Sequence, residues 1–238
     1  MRQTSTCLTF IGTLVLLGLT VGAQSQEPRR RAAPMLTSED LRSPSGAPSP
    51  PEDVVTRTGG SGSPVRNAGA TLQSMLTRMS EVNSLRTRLQ TFMPTGQSEA
   101  MIESVKPDRM HVTSPYGEMI QIGRKLYMKT AAGWEVRSMP AGGAQSDAGF
   151  DFRTFVKQMT ARSGVRITGQ MLGSQMIDGV ETLAYEFEVT DGSETGTMQV
   201  SIGKEDGYMR RISLSGGPVN IKIWFSNINE PLSIEPPM

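Results

Sequence analysis

The sequence contains almost no cysteine or histidine. Of its 238 residues, only Cys7 carries a thiol and only His111 carries an imidazole. This excludes a disulfide within the chain and any metal site built from several histidines or thiolates. His111 falls on the polar face of a predicted strand, and no serine elbow or paired carboxylates accompany it. We therefore expect no catalytic residue, no metal and no cofactor, and a protein that is not an enzyme.

The sequence also lacks an excess of either charge. Lys and Arg number 24 and Asp and Glu number 23, which gives a formal net charge of +1. A balanced chain does not attract nucleic acid or an anionic membrane through its overall charge. We therefore expect no nucleic-acid partner.

The N-terminal region has the pattern of an export signal followed by a tail with few apolar residues. Arg2 precedes an uncharged apolar stretch, Leu8–Val21, which is short for a membrane span, and Val21-Gly22-Ala23 provides small residues for cleavage. We predict a signal peptide over residues 1–23, with an uncleaved anchor as the alternative. Residues 24–69 are rich in Pro, Gly and Ser, which predicts a disordered tether.

The remaining residues, 70–238, have the periodicity of one folded domain. Apolar residues at three- and four-residue spacing predict amphipathic helices over Ala70–Val82 and Phe150–Arg162. Strict alternation in most other segments, such as Leu183–Val189, predicts antiparallel strands, and Asp-Gly and Gly-Gly pairs predict hairpin turns. We predict an α+β fold, in which two helices cover the apolar face of a single large curled antiparallel sheet of about ten strands.

The order of several short motifs resembles the LolA-like lipoprotein-carrier superfamily. The first half contains Val105-Lys106-Pro107-Asp108-Arg109-Met110, then Ile122-Gly123 and Gly133-Trp134. The second half contains Asp206-Gly207-Tyr208-Met209-Arg210 and ends in Phe225-Ser226-Asn227-Ile228-Asn229. These segments are similar to the outer-membrane lipoprotein-sorting and LppX-type branches. The resemblance covers residues 70–238.

The resemblance implies an incomplete β-barrel whose helices close over a hydrophobic cavity that accepts acyl chains in the bacterial periplasm. LolA has an arginine that helps to hold its helical lid, and Lys106 stands at that position. Lys106 is thus the candidate lid latch, weaker or built differently because lysine lacks the planar guanidinium fork. The expected cavity residues lie on the apolar sheet face and the second helix: Met110, Val112, Ile120, Phe155, Met159, Val165, Ile167, Leu183, Phe187, Val200 and Ile223.

The 16 methionines allow two interpretations. Methionine adapts its shape at little cost, which suits a cavity for variable acyl chains, and it equally fills gaps in an ordinary core. The resemblance favours the cavity.

Two classes of function remain. We expect a soluble, monomeric periplasmic carrier of an acylated lipid or lipoprotein, with a membrane-bound donor or acceptor protein as a candidate partner. The alternative is an envelope-stress sensing or regulatory interaction domain of the same fold.

Overall fold

The computed structural model describes residues 62–139, 165–192 and 194–238. The predicted signal peptide over residues 1–23 lies outside these ranges, as does the predicted tether up to residue 61. The predicted second helix, over residues 150–162, also lies outside them, with Phe155 and Met159.

The described residues form twelve strands and a single helix, where the sequence predicts about ten strands and two helices. The elements, in chain order, are β1 (Ser63–Pro64), α1 (Ala68–Ser80), β2 (Ser84–Met93), β3 (Gly96–Val105), β4 (Arg109–Ser114), β5 (Gly117–Ile122), β6 (Lys125–Thr130), β7 (Gly133–Ser138), β8 (Val165–Ile177), β9 (Val180–Asp191), β10 (Glu194–Gly203), β11 (Met209–Ser215) and β12 (Asn220–Ser226).

All twelve strands belong to one sheet, in the order β1-β8-β9-β10-β11-β12-β2-β3-β4-β5-β6-β7. Every neighbouring pair is antiparallel, as predicted. Strands β2 to β7 form one run of hairpins and β8 to β12 form another. The last strand pairs with β2, which joins the two runs in the middle of the sheet. Strands β1 and β7 are the two edges, so the sheet formed by the described strands is not closed.

Tight turns fix the hairpin register where the sequence predicts them. At the β8–β9 turn, Asp178 and Gly179 have φ angles of 48° and 79°. A two-residue turn with positive φ at both positions matches the twist of the flanking strands, and aspartate followed by glycine tolerates this conformation well.

Helix α1 begins and ends two residues earlier than predicted. Its buried side chains, Ala68, Leu72, Leu76 and Met79, recur at three- and four-residue spacing and are 5% exposed or less. They pack on the side of the sheet that we call the helix-side face, and we call the opposite side the outer face.

The folded region also includes residues 62–69, which the composition assigns to the tether. Ser63 and Pro64 pair with Met171 and Gln170, and the Val65 amide donates to the Gly169 carbonyl at 2.9 Å. Backbone pairing of this kind needs no apolar side chains, so the composition of the segment does not reveal it.

The main hydrophobic core lies between α1 and the central strands. Apart from α1, its buried members come from the α1–β2 connection and from β2, β3 and β9–β12: Val82, Leu85, Leu89, Ala100, Phe187, Met198, Val200, Met209, Ile212, Leu214, Ile221, Ile223 and Phe225. The described residues of β4, β5, β6 and β7 contribute nothing to this cluster.

Candidate functional site

Three of the predicted cavity residues are part of the filled core. Phe187 and Val200 are fully buried, and Ile223 is 1% exposed. All three belong to the cluster that contains the buried side chains of α1. Side chains packed this closely leave no room for an acyl chain without rearrangement of the core. Their position therefore supports a role in stability.

Three other predicted cavity residues are half-buried on β8 and β9. Ile167 is half-buried and packs against the cluster from β8. Val165 and Leu183 are also half-buried. Ile167 pairs with Val189, on the same side of β9 as Phe187, so it shares the helix-side face.

A second apolar region occupies the helix-side face of β3–β6, outside the α1 cluster. Val112 pairs with Met119, which pairs with Met128, so these side chains form a row across three strands. Val112 and Leu126 are buried, with 5% and 8% of their surface exposed, whereas Met110, Met119 and Met128 are half-buried. We call this region the methionine surface: Ile102, Met110, Val112, Met119, Leu126 and Met128.

The sequence predicts only two members of this surface, Met110 and Val112. It assigns Ile120 to the same face, and this assignment is wrong because Ile120 pairs with His111 and Tyr127 on the outer face. Strand β5 has apolar residues on both faces, so alternation alone does not show which of them lie on the helix-side face. The length of the turn between Ser114 and Gly117 does identify this face. A two-residue turn sets the register that places Met119 opposite Val112.

Two polar side chains lie within the methionine surface. Ser104 pairs with Met110 and is 9% exposed. Gln121 pairs with Met110 and Leu126 on the helix-side face and is 4% exposed. A small number of polar groups in an apolar site is the usual way in which a ligand is oriented.

Lys106 contacts the C-terminus of α1. Its side-chain Nζ donates to the Ser80 carbonyl at 2.5 Å, and its backbone amide donates to the Asn83 carbonyl at 2.7 Å. A lysine at the negative end of a helix dipole satisfies a carbonyl that has no partner within the helix. The same helix end is held from the other half of the sheet, where Arg78 donates to the Asp206 carbonyl at 2.7 Å. Helix α1 is thus anchored by two turns as well as by its buried face.

His111 lies in an ion network on the outer face. Its Nε2 is 2.9 Å from Glu118, and its Nδ1 is 3.6 Å from Glu103. Glu103 accepts from Arg86 at 2.6 Å, and Glu118 accepts from Lys129 at 2.8 Å. Charged partners thus surround His111 within the sheet surface, and this arrangement stabilises neighbouring strands.

Two of these contacts change the titration of Glu118. The hydrogen bonds from Lys129 and His111 lower the pKa of the Glu118 carboxyl from its ordinary value, because they favour its charged form.

The described residues contain no group of three or more His, Cys, Asp or Glu side chains arranged to hold a metal ion. Helix α1, the one helix in the described ranges, is not long and apolar enough to cross a membrane.

Comparisons with known proteins agree with the fold. No protein-family model and no curated protein matches the sequence. Among solved structures, LprF from Mycobacterium bovis is 16% identical with a TM-score of 0.51, and the match covers 74% of this chain and 99% of LprF. The lipoprotein LppX from Mycobacterium tuberculosis is 16% identical with a TM-score of 0.49, covering 71% of this chain and 98% of LppX. The chain thus shares its fold with LprF, in agreement with the LppX-type fold that its motifs predict.

A more distant match is a chain of the Pseudomonas aeruginosa MucA/MucB complex. It is 11% identical with a TM-score of 0.40, and the match covers 68% of this chain and 57% of that one. At such identities structural likeness establishes the fold alone, so function has to be argued from the residues of the site.

Proposed function

We propose that this protein is a carrier that binds an acyl chain of a lipid or lipoprotein on its methionine surface. The observation that supports this proposal is the difference in burial between the two apolar regions on the helix-side face. The region under α1 is filled, whereas Met110, Met119 and Met128 are half-buried and lie outside the α1 cluster. Flexible, partly exposed thioether side chains can adapt to chains of different length and saturation.

The chemistry of the methionine surface suits an acyl chain. Its six members are apolar, and the polar side chains beside them, Gln121 and Ser104, are uncharged. The charged residues Glu135 and Arg137 lie at its edge on β7, where they pair with each other at 3.3 Å and are more than half exposed. An apolar ligand therefore displaces water without burying a charge, and the Gln121 amide can orient an ester or carboxyl group.

The expected affinity is moderate. A chain of about 14 carbons gains about 11 kcal/mol at about 0.8 kcal/mol per buried methylene. An association cost of about 4 kcal/mol or more reduces this to micromolar affinity or weaker. Such affinity allows a carrier to release its cargo.

The proposal includes export to the periplasm and the absence of enzymatic activity. Export rests on the predicted signal peptide, and N-terminal sequencing of the protein from a periplasmic extract tests it. A chain beginning at Gln24 would support export, whereas retention of residues 1–23 would contradict cleavage. The absence of activity rests on the sequence, in which His111 is the single candidate imidazole base.

Titration with a fluorescent fatty acid tests the binding site. The purified full chain should bind at micromolar concentration. Met119→Glu places a carboxylate on the methionine surface and should weaken binding at least about tenfold, which corresponds to about 1.4 kcal/mol. Its folding should survive because Met119 is half-buried.

The same substitution on the opposite face of the sheet provides a matched control. Met101 is also half-buried, but it pairs with Arg88 on the outer face. Met101→Glu should therefore leave fatty-acid binding unchanged. Absence of binding by the wild type at high micromolar concentration, or equal loss in both variants, would refute the proposed site.

A further inference from the structure

Strand β7 lies at one edge of the described sheet, and almost all of it is exposed. Among the described strands, β7 pairs with β6 alone. Val136 is 58% exposed, the side chains of Glu135 and Arg137 are 53% and 59% exposed, and Trp134 is half-buried. The outer side of such a strand can accept another strand through backbone hydrogen bonds.

The two edges of the sheet differ in how they are protected. At the opposite edge, β1 covers β8 with two residues, and one of them is Pro64, which has no amide hydrogen to donate. Strand β7 contains no proline and no lysine, and its pairing with β6 has no register shift. Proline, lysine and bulges are common devices that prevent an edge strand from pairing. In their place β7 has one acidic and one basic residue, Glu135 and Arg137.

Strand alternation determines which backbone groups of β7 point away from β6. Met139, directly after β7, donates its amide to the Arg124 carbonyl at 2.9 Å. Backbone groups of successive residues point to opposite sides of a strand, so those of Trp134, Val136 and Ser138 point away from β6. A strand added antiparallel to this edge therefore forms its hydrogen bonds with these three residues.

The charges of β7 favour one symmetric pairing of two β7 strands. A two-fold axis at Glu135 places two glutamates opposite each other, and an axis at Arg137 places two arginines opposite each other. An axis at Val136 instead places Glu135 of each copy opposite Arg137 of the other. Axes at Trp134 or Ser138 pair only one end of the strand. Since facing opposite charges stabilise a sheet and facing like charges destabilise it, the axis at Val136 is favoured.

The same register continues an apolar row on the outer face. Ile120 pairs with Tyr127, which pairs with Val136. Ile120 is 7% exposed and Tyr127 is half-buried, so the row ends at an exposed side chain on the edge strand. With the axis at Val136, the two copies of this valine face each other, and each covers the other.

We propose that β7 pairs antiparallel with β7 of a second copy of this chain, about a two-fold axis at Val136, and that the protein forms a symmetric dimer with one continuous sheet. Val136 faces its own copy, and Trp134 of each chain faces Ser138 of the other. Each of these pairs exchanges two backbone hydrogen bonds. The sequence predicts a monomer, but only the structure places β7 at the edge of the sheet.

Disulfide formation at the two-fold axis tests the register. The full chain with Cys7→Ser receives either Val136→Cys or, as a matched control, Ser138→Cys, which is exposed on the same face of β7. In the proposed dimer the two Cα atoms at position 136 are about 5.5 Å apart, within the range of about 4.4–6.8 Å that a disulfide needs. Those at position 138 are at least about 13 Å apart, because each Ser138 faces Trp134 of the other copy.

Oxidation with copper phenanthroline should convert the variant at position 136 into a disulfide-linked dimer several-fold faster than the variant at position 138. Equal rates at the two positions would show random collision, and a faster reaction at position 138 would show another register. Either result, or the absence of a linked dimer in both variants, would overturn the proposal.

Charge reversal tests whether the ion pairs join two chains. Sedimentation velocity of the full chain with Cys7→Ser should show a dimer whose population rises with concentration into the high micromolar range. Glu135→Arg or Arg137→Glu alone places like charges opposite each other, and should raise the dissociation constant of the dimer at least about fivefold. Both side chains are more than half exposed, so the fold should survive.

A mixture of the two single variants distinguishes ion pairs between chains from the pair within one chain. Glu135 and Arg137 of the same chain are 3.3 Å apart, and each single substitution also breaks this contact. In a heterodimer of the two variants, every facing pair again joins opposite charges, so equimolar mixing should restore dimerisation to the wild-type level. A wild type that stays monomeric at high micromolar concentration, single variants that dimerise as the wild type does, or a mixture no better than its components would overturn the proposal.

Discussion

Replacing Gly169 with alanine should destabilise the protein, although alanine normally suits a strand better than glycine does. Gly169 lies in the middle of β8, directly opposite Phe187 on β9. A Cβ atom at this position would lie 2.8 Å from Cδ1 of Phe187 and 3.2 Å from the Cβ of Ala68 at the start of α1. The first distance is too short for two carbon atoms, so the aromatic ring, the strand or the helix would have to move.

The expected cost follows from the rigidity of these neighbours. Phe187 is fully buried and stacks at 6.3 Å on Tyr185, so its ring cannot turn away freely. Extra carbon atoms in a packed core typically cost about 1–3 kcal/mol. For a domain of this size, each kcal/mol lowers the melting temperature by about 2–4 °C.

Chemical denaturation of matched variants measures this effect. Gly196 on β10 is the control, because a Cβ there would meet its nearest neighbour, the Ser215 carbonyl oxygen, at an ordinary 3.5 Å. Gly196→Ala should be neutral or stabilising by up to about 1 kcal/mol. The double variant Gly169→Ala, Phe187→Leu should recover part of the packing cost in a double-mutant cycle. Equal free energies of unfolding for the two alanine variants would refute the reasoning.

Two further predictions concern Glu118 and Lys106. Lys129 and His111 lower the pKa of Glu118 in the folded protein. The ionised Glu118 therefore contributes to the free energy of unfolding above the ordinary pKa of 4.5, and this contribution is lost as pH falls through the lowered value. The free energy of unfolding should thus fall more steeply on acidification in the wild type than in Glu118→Gln, and parallel curves would contradict this. Lys106→Met removes the bond to the Ser80 carbonyl and should cost about 0.5–1.5 kcal/mol in thermal unfolding, whereas Lys106→Arg should retain most of the stability. Equal melting temperatures for Lys106→Met and the wild type would contradict the second prediction.

Much of the sheet can be predicted from the sequence because alternation and turn residues specify the same strands. The face of β9 follows directly, since Phe187 alternates with Glu186 and Glu188 in a strand of 12 residues. The number of strands is harder to predict. Strand β1 has only two residues, and its pairing with Gln170 and Met171 uses backbone groups that leave no pattern in the side chains.

The site is less predictable than the fold because its strands are short and apolar on both faces. In β5, Met119 and Ile120 are adjacent, and hydrophobicity favours the isoleucine as the inner residue. The register places Met119 on the helix-side face. It depends on the length of the turn that joins β4 to β5, which the pattern within one strand does not contain. A site assigned from alternation alone therefore merges the core under α1 with the methionine surface.

The two interpretations of the methionines apply to different halves of one sheet. Met79, Met198 and Met209 are at most 2% exposed and fill the core between α1 and the central strands. Met110, Met119 and Met128 are half-buried and lie beyond that core on the same face. The number of methionines in the sequence includes both groups, so it does not distinguish methionines that fill the core from those of a ligand-binding surface. Burial separates them, because a methionine that fills a core is enclosed on every side, whereas one that adapts to a ligand has to keep part of its surface free.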